Sequence, residues 1–363
     1  MRKVKCLDLI LAFSGLFLSF IIVRFIGVHT SIPESFFTHI QSFISRTLYS
    51  ISSFISFSLG DLFYLVLGGL GFFITLKLLE AVWKKNYKLF RKKIVQILWF
   101  LTFFYWVFQI FWGFNYYKNP LNKEFTAEEI SLDELKSMAE FYFNRSVYYR
   151  EKVNEDEFGV FKINLTQNEI NTEIIKSAQK IKTKYPEIRL TDSTPPNLKS
   201  SLFSVPFSYL GIGGYYIPFT AESQYINTLP DTKILFTQLH ETAHQWGFAP
   251  ENEANFVGFL LGYESSNPDL NYASNYRAMR SILNRILLYD PVYVQIMFIR
   301  YSDGMKRDRK HERFINEKYT GSGEEAFSAM NEAFLRMNNQ EGLESYGHFV
   351  ELLIGFNRKY ASE

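Results

Sequence analysis

The sequence contains a single cysteine, Cys6, at the edge of its first apolar run. With no second thiol, internal disulfides and thiolate metal sites are both excluded, so any bound metal must be held by histidine and carboxylate. Net charge is nearly absent as well. Lys and Arg number 39 against 37 Asp and Glu, a balance of +2, and no Arg-rich stripe accompanies it, which removes the electrostatic case for a nucleic-acid partner. The glycines at 211, 213 and 214 lack the spacing and the following helix of a dinucleotide fingerprint, so no nucleotide partner is expected. Internal repeats and low-complexity segments are also missing.

What the chain does contain is unevenly placed. Its 37 Phe are concentrated before residue 118, which divides the chain into two physically different parts. No charged residue occurs from Ile94 to Tyr117, a stretch that matches the ~20 apolar residues a membrane-crossing helix needs. A second span is expected at about 62–83, with Lys77 and Glu80 near one end where long side chains reach the interface. The first span in chain order, at about 9–28, reads as a retained anchor rather than a cleaved signal, because two more spans follow and no small-residue cleavage site is present. Between them, about 35–57, Phe36, Phe37, Ile40, Phe43, Ile44 and Leu48 recur at helical spacing opposite Ser and Thr, the pattern of a helix lying on a membrane surface.

Lys84, Lys85, Lys88, Arg91, Lys92 and Lys93 crowd the connection between the second and third spans, and Arg2, Lys3 and Lys5 precede the first. Positive charge in short loops marks the cytoplasmic side. The expected organisation is therefore an integral membrane anchor over 1–117 and a domain over 118–363 on the periplasmic or extracellular side, with the lipid bilayer as a partner.

After Asn119-Pro120 the composition turns mixed. Ser131 with Glu134 predicts a capped helix to about Tyr149, and a second amphipathic helix is expected over Gln167 to Thr183. Leu202 to Val205 and Ile212 to Phe219 read as strands, and from Asp231 the pattern is mainly helical. The expected fold class is α+β, a mainly helical domain with a small β-sheet behind a three-helix anchor.

The chemistry is concentrated in His240-Glu241-Thr242-Ala243-His244. Asp231 is a good N-cap, Ile234, Leu235, Leu239 and Ala243 form an apolar helical face, and Gly247 is a good stop. On that helix the two histidines lie one turn apart, so both imidazoles can share a tetrahedral Zn²⁺ while Glu241 faces the open coordination position. The plain alternative is a solvated helix face with two surface histidines. Gly247 and Pro250 then reverse the chain into a second helix beginning near Glu251. Glu251 and Asn255 share a face, which suits Glu251 as third ligand and Asn255 as the group that orients a histidine. Glu253, roughly on the other side of that helix, is the rival ligand.

This arrangement resembles the gluzincins, whose HExxH helix is followed by a helix carrying Glu-x-x-(Ala/Ser)-(Asp/Asn), a pattern that Glu251 to Asn255 fit. The resemblance implies a zincin-like peptidase domain and favours Glu251 over Glu253. The link between the two helices is short, like the Gly turn of metzincins, with Pro250 where a metzincin has its third His. Over nearly its whole length the chain also resembles a bacterial family of membrane-anchored HExxH proteins, the domain-of-unknown-function family thirty-eight-ten. That likeness is carried by the membrane-spanning start, Gly214 to Glu222, His240 to Phe256 and Asn339 to Gly347; it implies an inner or cytoplasmic bacterial membrane, and fold and zinc rather than a substrate.

The expected activity is a zinc metallopeptidase cutting peptide or protein substrates through a zinc-activated water, with Glu241 as general base. The alternatives are a membrane-tethered scaffold with a non-catalytic zinc and a zinc amidase acting on non-protein amides. Tyr215, Tyr216, Tyr272 and Tyr276 are oxyanion donors or, more commonly, packing residues; His311 and His348 read as surface histidines, and Glu222 as a support of the site or a loop acid.

Overall fold

The computed structural model describes residues 6–29, 34–125, 127, 129–190, 194–338 and 348–360. Helices α1 (Cys6–His29), α3 (Leu59–Trp83) and α4 (Tyr87–Phe111) are each long and apolar enough to cross a membrane. Their large side chains are exposed, Phe17, Phe72 and Phe103 by two thirds, a surface that favours lipid over water. These three helices are compatible with anchoring in a membrane. Helix α4 corrects the third expected span, beginning at Tyr87 instead of Ile94 and stopping at Phe111 instead of Tyr117. It starts early because the Asn86 side chain accepts from the Leu89 N–H (3.0 Å), which makes Lys88, Arg91, Lys92 and Lys93 its first turns. It ends where Trp112 leaves helical geometry (φ −147°) for a 3₁₀ turn over Gly113–Tyr117. Absence of charge marks an apolar stretch; capping marks the helix.

Between α1 and α3 lies α2 (Glu34–Ser52), shorter than the expected 35–57. Its apolar side chains Phe36, Phe43 and Ile51 are exposed, while Gln41, Ser45 and Ser52 are buried. The polar face is therefore covered by the rest of the protein. Ser45 meets the Tyr216 hydroxyl at 3.5 Å, and Ser52 accepts from the Asn197 amide at 2.7 Å.

Helices α5 (Leu132–Arg150) and α6 (Gln167–Lys184) follow, the first capped by Ser131 and the second by a full capping box of Thr166 and Glu169. The sheet contains β1 (Leu198–Ser200), β2 (Gly214–Ile217) and β3 (Glu222–Tyr225) in the order β1-β3-β2. β3 runs parallel to β1 and antiparallel to β2, which is an edge strand. The strand expected over Leu202 to Val205 does not form. Asp61 takes the Leu202 N–H at 2.7 Å and the Ser201 hydroxyl at 3.2 Å, and the chain turns there into a single-turn helix α7 (Ser204–Ser208).

The remaining elements are helical: α8 (Asp231–Gln245), α9 (Glu251–Tyr263), α10 (Pro268–Ile286), α11 (Pro291–Arg300), α12 (Asp303–Tyr319), α13 (Ser322–Met337) and α14 (His348–Tyr360). Asp231 is not the cap of α8. It occupies the first helical position and accepts from the Ile163 N–H at 2.8 Å, with Pro230 preceding it. One core unites these helices apart from α13, with α10 central and packed on α5, α8 and α9. Within it the fully buried Asp308 of α12 takes Arg150 Nε (2.6 Å), the Tyr272 hydroxyl (2.6 Å) and the Phe161 N–H (2.8 Å). A buried carboxylate with that many donors ties three helices together without leaving a charge unpaired.

A second buried polar network joins the apolar helices to the sheet. Glu222 of β3, completely buried, accepts from the Leu59 and Gly60 N–H groups at the start of α3 (3.2 and 2.6 Å) and pairs with Lys199 of β1. Lys199 also donates to the Ser52 carbonyl at the end of α2 (2.9 Å). A carboxylate at a helix N-terminus satisfies orphan donors and complements the helix dipole. Glu222 therefore adds to the capping of α3, whose N-cap Ser58 accepts from the Asp61 N–H at 2.9 Å. The approach at Gly60 is close: a Cβ there would lie 2.2 Å from Ile217 Cδ1, which would have to move.

Candidate metal centre

Helix α8 carries His240, Glu241 and His244 on the side that faces α9 and the sheet. The two helices approach closely because α9 has Gly258 at the crossing, where a Cβ would stand 3.0 Å from the His240 backbone. Glu251, the first residue of α9, thereby faces both rings. Its Oε2 lies 3.3 Å from His240 Nε2 and its Oε1 3.8 Å from His244 Nε2. The ligand atoms of the three residues all lie within 4.8 Å of one another. Donors about 2.0–2.2 Å from a shared tetrahedral ion are separated by roughly 3.3–3.6 Å, so small adjustments bring this set to a metal.

The rings are held at 88° to each other, centroids 4.6 Å apart. His244 is oriented by a turn that the sequence only hinted at. Gly247 (φ +87°) donates to the His244 carbonyl and Phe248 N–H to the Ala243 carbonyl, a Schellman ending that only a left-handed residue completes easily. That turn swings the Phe248 carbonyl back to 2.7 Å from His244 Nδ1, so with Nδ1 protonated, Nε2 is the atom left to bind a metal. Asn255 does not serve the expected role. Its amide donates to the Glu251 carbonyl one turn earlier (2.8 Å), steadying the start of α9.

Glu253, the rival ligand, points elsewhere. It is buried, and its Oε1 accepts from the Leu121 N–H at 2.7 Å. Its place on the far side of α9 makes it a fastener for the segment that follows the apolar helices.

Glu241 is 3% exposed, and its Oε2 makes no hydrogen bond among the described residues. Burial pushes its carboxyl up to about 8, well above the ordinary carboxylate range. Burial also pulls His240 down, while His244 is raised to about 9 because the Glu251 carboxylate and Phe248 carbonyl outweigh its burial. Glu251 itself, although buried, is held well below the usual carboxylate range by the two imidazoles it faces. β2 leaves room for Glu241 through Gly214, where a Cβ would fall 2.8 Å from Glu241 Oε1 and 2.7 Å from the Gln224 carbonyl.

The cluster opens on a cleft of about 910 Å³. Thr232, Lys233, Phe236, Thr237, His240, Glu241 and His244 line it in succession, so it follows α8 for about 18 Å at 1.5 Å per residue. Near the start of α8 the cleft is polar and mainly cationic, with Lys233, Arg277 and Arg280 beside Glu312. Near the end of α8 it is aromatic. Trp112, 5.7 Å from the His244 ring, and Tyr116 belong to the end of α4 and the 3₁₀ turn beyond it. Edge strand β2 forms one wall and α13 another.

Of the four tyrosines, Tyr276 lines this cleft from α10, whereas Tyr272 is spent on Asp308. Tyr215 and Tyr216 also line it, but their hydroxyls are engaged with Asp61 and Ser45 of the N-terminal part. His311 lies outside the cluster on α12, and His348 pairs with Glu351 on α14. The stretch Asn339 to Gly347 lies outside the described residues.

Fold and site together define a mostly helical protein with an apolar three-helix N-terminal part and a two-histidine, one-glutamate cluster able to hold a metal. The chain belongs to the family described as Protein of unknown function (DUF3810), whose family model matches residues 36–354. That match begins after α1 and runs through α3, α4 and the candidate metal centre. No curated protein matches the chain, and neither does any solved structure.

Proposed function

We propose that this protein is a membrane-anchored zinc-dependent peptidase. The donor set, two imidazoles and one carboxylate with no thiolate, suits Zn²⁺, which His240, His244 and Glu251 would hold. Zinc when bound acts as a Lewis acid and lowers the pKa of water toward neutrality. The observation that carries the reading is Glu241: a buried carboxylate with an unpaired oxygen, adjacent to three metal-type donors and facing a cleft. A structural metal site has no use for such a group. In the proposed reaction Glu241 accepts the proton of the attacking water and delivers it to the leaving amide nitrogen. β2, as an edge strand, offers backbone donors and acceptors to an extended chain, which favours a peptide over a non-protein amide.

The test separates metal from base. In full-length protein, Glu241→Gln is expected to retain zinc at wild-type stoichiometry while hydrolysis falls about 10²- to 10⁴-fold, the usual contribution of a positioned base. Equal turnover by two zinc-loaded proteins would remove Glu241 from this role and favour a structural metal.

The same reading puts the metal centre outside the cytoplasm, because the basic residues from Lys84 to Lys93 lie between α3 and the body of α4. A reporter fused after Glu363 is expected to be active only when it matures outside; activity confined to the cytoplasm would reverse the topology.

A further inference from the structure

We propose that the substrate of this centre is a polypeptide held in the bilayer by its own apolar segment and cut within a few residues of that segment. The inference rests on the peptidase reading above and adds the route by which substrate arrives. Its first support is α4. Phe104, Phe108 and Trp112, with Tyr116 just beyond, succeed one another every fourth residue and line the cleft, so they form one stripe leading from the metal centre down the helix. One turn further down the same row, Phe100 stacks on Phe104 with centroids 6.0 Å apart and is about half exposed. The wall of the cleft and the lipid-type surface are thus two parts of one continuous apolar face.

Strand β2 supplies the second support. It begins at Gly214 beside Glu241 and ends at Ile217 against Gly60, the second residue of α3. Phe219, two residues further, stacks among Phe63, Phe104 and Phe111 of α3 and α4, with centroids 5.2, 4.9 and 6.2 Å away. A chain paired along this edge therefore runs from the metal centre toward the apolar helices. Helix α13 closes the other side, its Phe334 lying 6.2 Å from Phe108 while Met330 and Met337 are exposed. An amphipathic helix with that exposure suits the surface of a membrane. An acyl chain would fit the aromatic stripe but cannot use the hydrogen-bonding groups of β2. A polypeptide uses both.

The probe is a mixed-sequence quenched-fluorescent peptide in three forms: soluble, fused to a 20-residue Leu-rich helix, or fused to a single acyl chain. Each is presented to full-length protein in phosphatidylcholine/phosphatidylglycerol vesicles. Burying a few apolar side chains in the stripe predicts that kcat/KM for the helix-fused form exceeds that of the soluble form by at least ~10-fold, with cleavage near the helix boundary. Phe104→Ala and Phe108→Ala should lower the ratio of the two. Independently of turnover, a photo-crosslinking residue at position 108 or 334 in a Glu241→Gln background should capture the helix-fused peptide in preference to the soluble one. Equal cleavage of soluble and helix-fused forms, without preferential capture, would overturn the inference and leave the peptidase reading intact. Acyl-fused peptide performing as well as helix-fused would overturn the choice of a polypeptide tether. Preferential capture with no cleavage of any form by zinc-loaded wild type would support the route and sink the peptidase reading.

Discussion

Glu251 and Glu253 are two residues apart on one helix, yet one faces two imidazoles and the other the Leu121 backbone. That difference gives them opposite signatures on mutation. In wild type, zinc at 100 times its dissociation constant should raise stability by about 2.7 kcal/mol, and a chelator should remove the gain. His240→Ala, His244→Ala and Glu251→Ala should each abolish most of this zinc dependence of Tm. Glu253→Ala should keep it while lowering Tm in both conditions, because a buried N–H loses its acceptor at a cost of roughly 1–3 kcal/mol. Loss of zinc dependence in Glu253→Ala alone would mean that α9 sits rotated from this arrangement. Gly214 offers a complementary probe. A methyl there meets the Gln224 backbone carbonyl as well as Thr237 and Glu241, and backbone cannot swing aside. Gly214→Ala should therefore cost about 1–3 kcal/mol, with activity falling further than zinc binding as Glu241 is displaced.

At the scale of elements, the buried pair of Glu222 and Lys199 fixes the sheet to the first turn of α3. Removing one partner leaves a charge uncompensated in the interior. Glu222→Ala is expected to destabilise the protein by roughly 3–5 kcal/mol, and Glu222→Gln by less, since the amide oxygen can still accept from Gly60. Thermal unfolding in detergent reads this, and equal effects of Ala and Gln would argue that the lost charge opposite Lys199, rather than the acceptor for Gly60, carries the whole cost. None of this was visible in the sequence, where Glu222 reads as a loop acid or a site support. Periodicity, capping and turn chemistry are local signals. They located α5, α6 and the paired helices α8 and α9 to within a residue or two, and the spacing of His240 and His244 sufficed to bring both rings to one face. Pairings across more than a hundred residues leave no such trace, so Asp61 turning the chain at Leu202 replaced an expected strand with α7. The α4 stripe was visible as a four-residue spacing, but within an apolar run every face looks alike.

For the molecule as a whole, the division after Tyr117 follows composition, whereas the contacts cross it. Asn197, Lys199 and Glu222 take partners from the segment between Ser52 and Gly60, and Tyr215 and Ser201 take Asp61. Trp112 packs on both Tyr216 and His244. Cutting the chain near Asn119 would thus expose one wall of the cleft, strip Asp61 from two hydroxyls and an N–H, and leave buried Glu222 without its Leu59 and Gly60 donors. The hydrogen bonds lost are each worth about 0.5–1.5 kcal/mol, and several lost together approach the 5–15 kcal/mol that separates a folded domain from its unfolded chain. A fragment of residues 119–363 is therefore expected to melt far below the full-length protein, to be cut rapidly by added protease in the sheet, and to bind zinc weakly. A fragment of residues 34–363, which retains α2, α3 and α4, should recover the protease resistance and the zinc-dependent Tm of the full chain in detergent. If the shorter fragment matched the full chain in both measurements, the apolar helices would be a detachable tether and not a structural part of the metal centre.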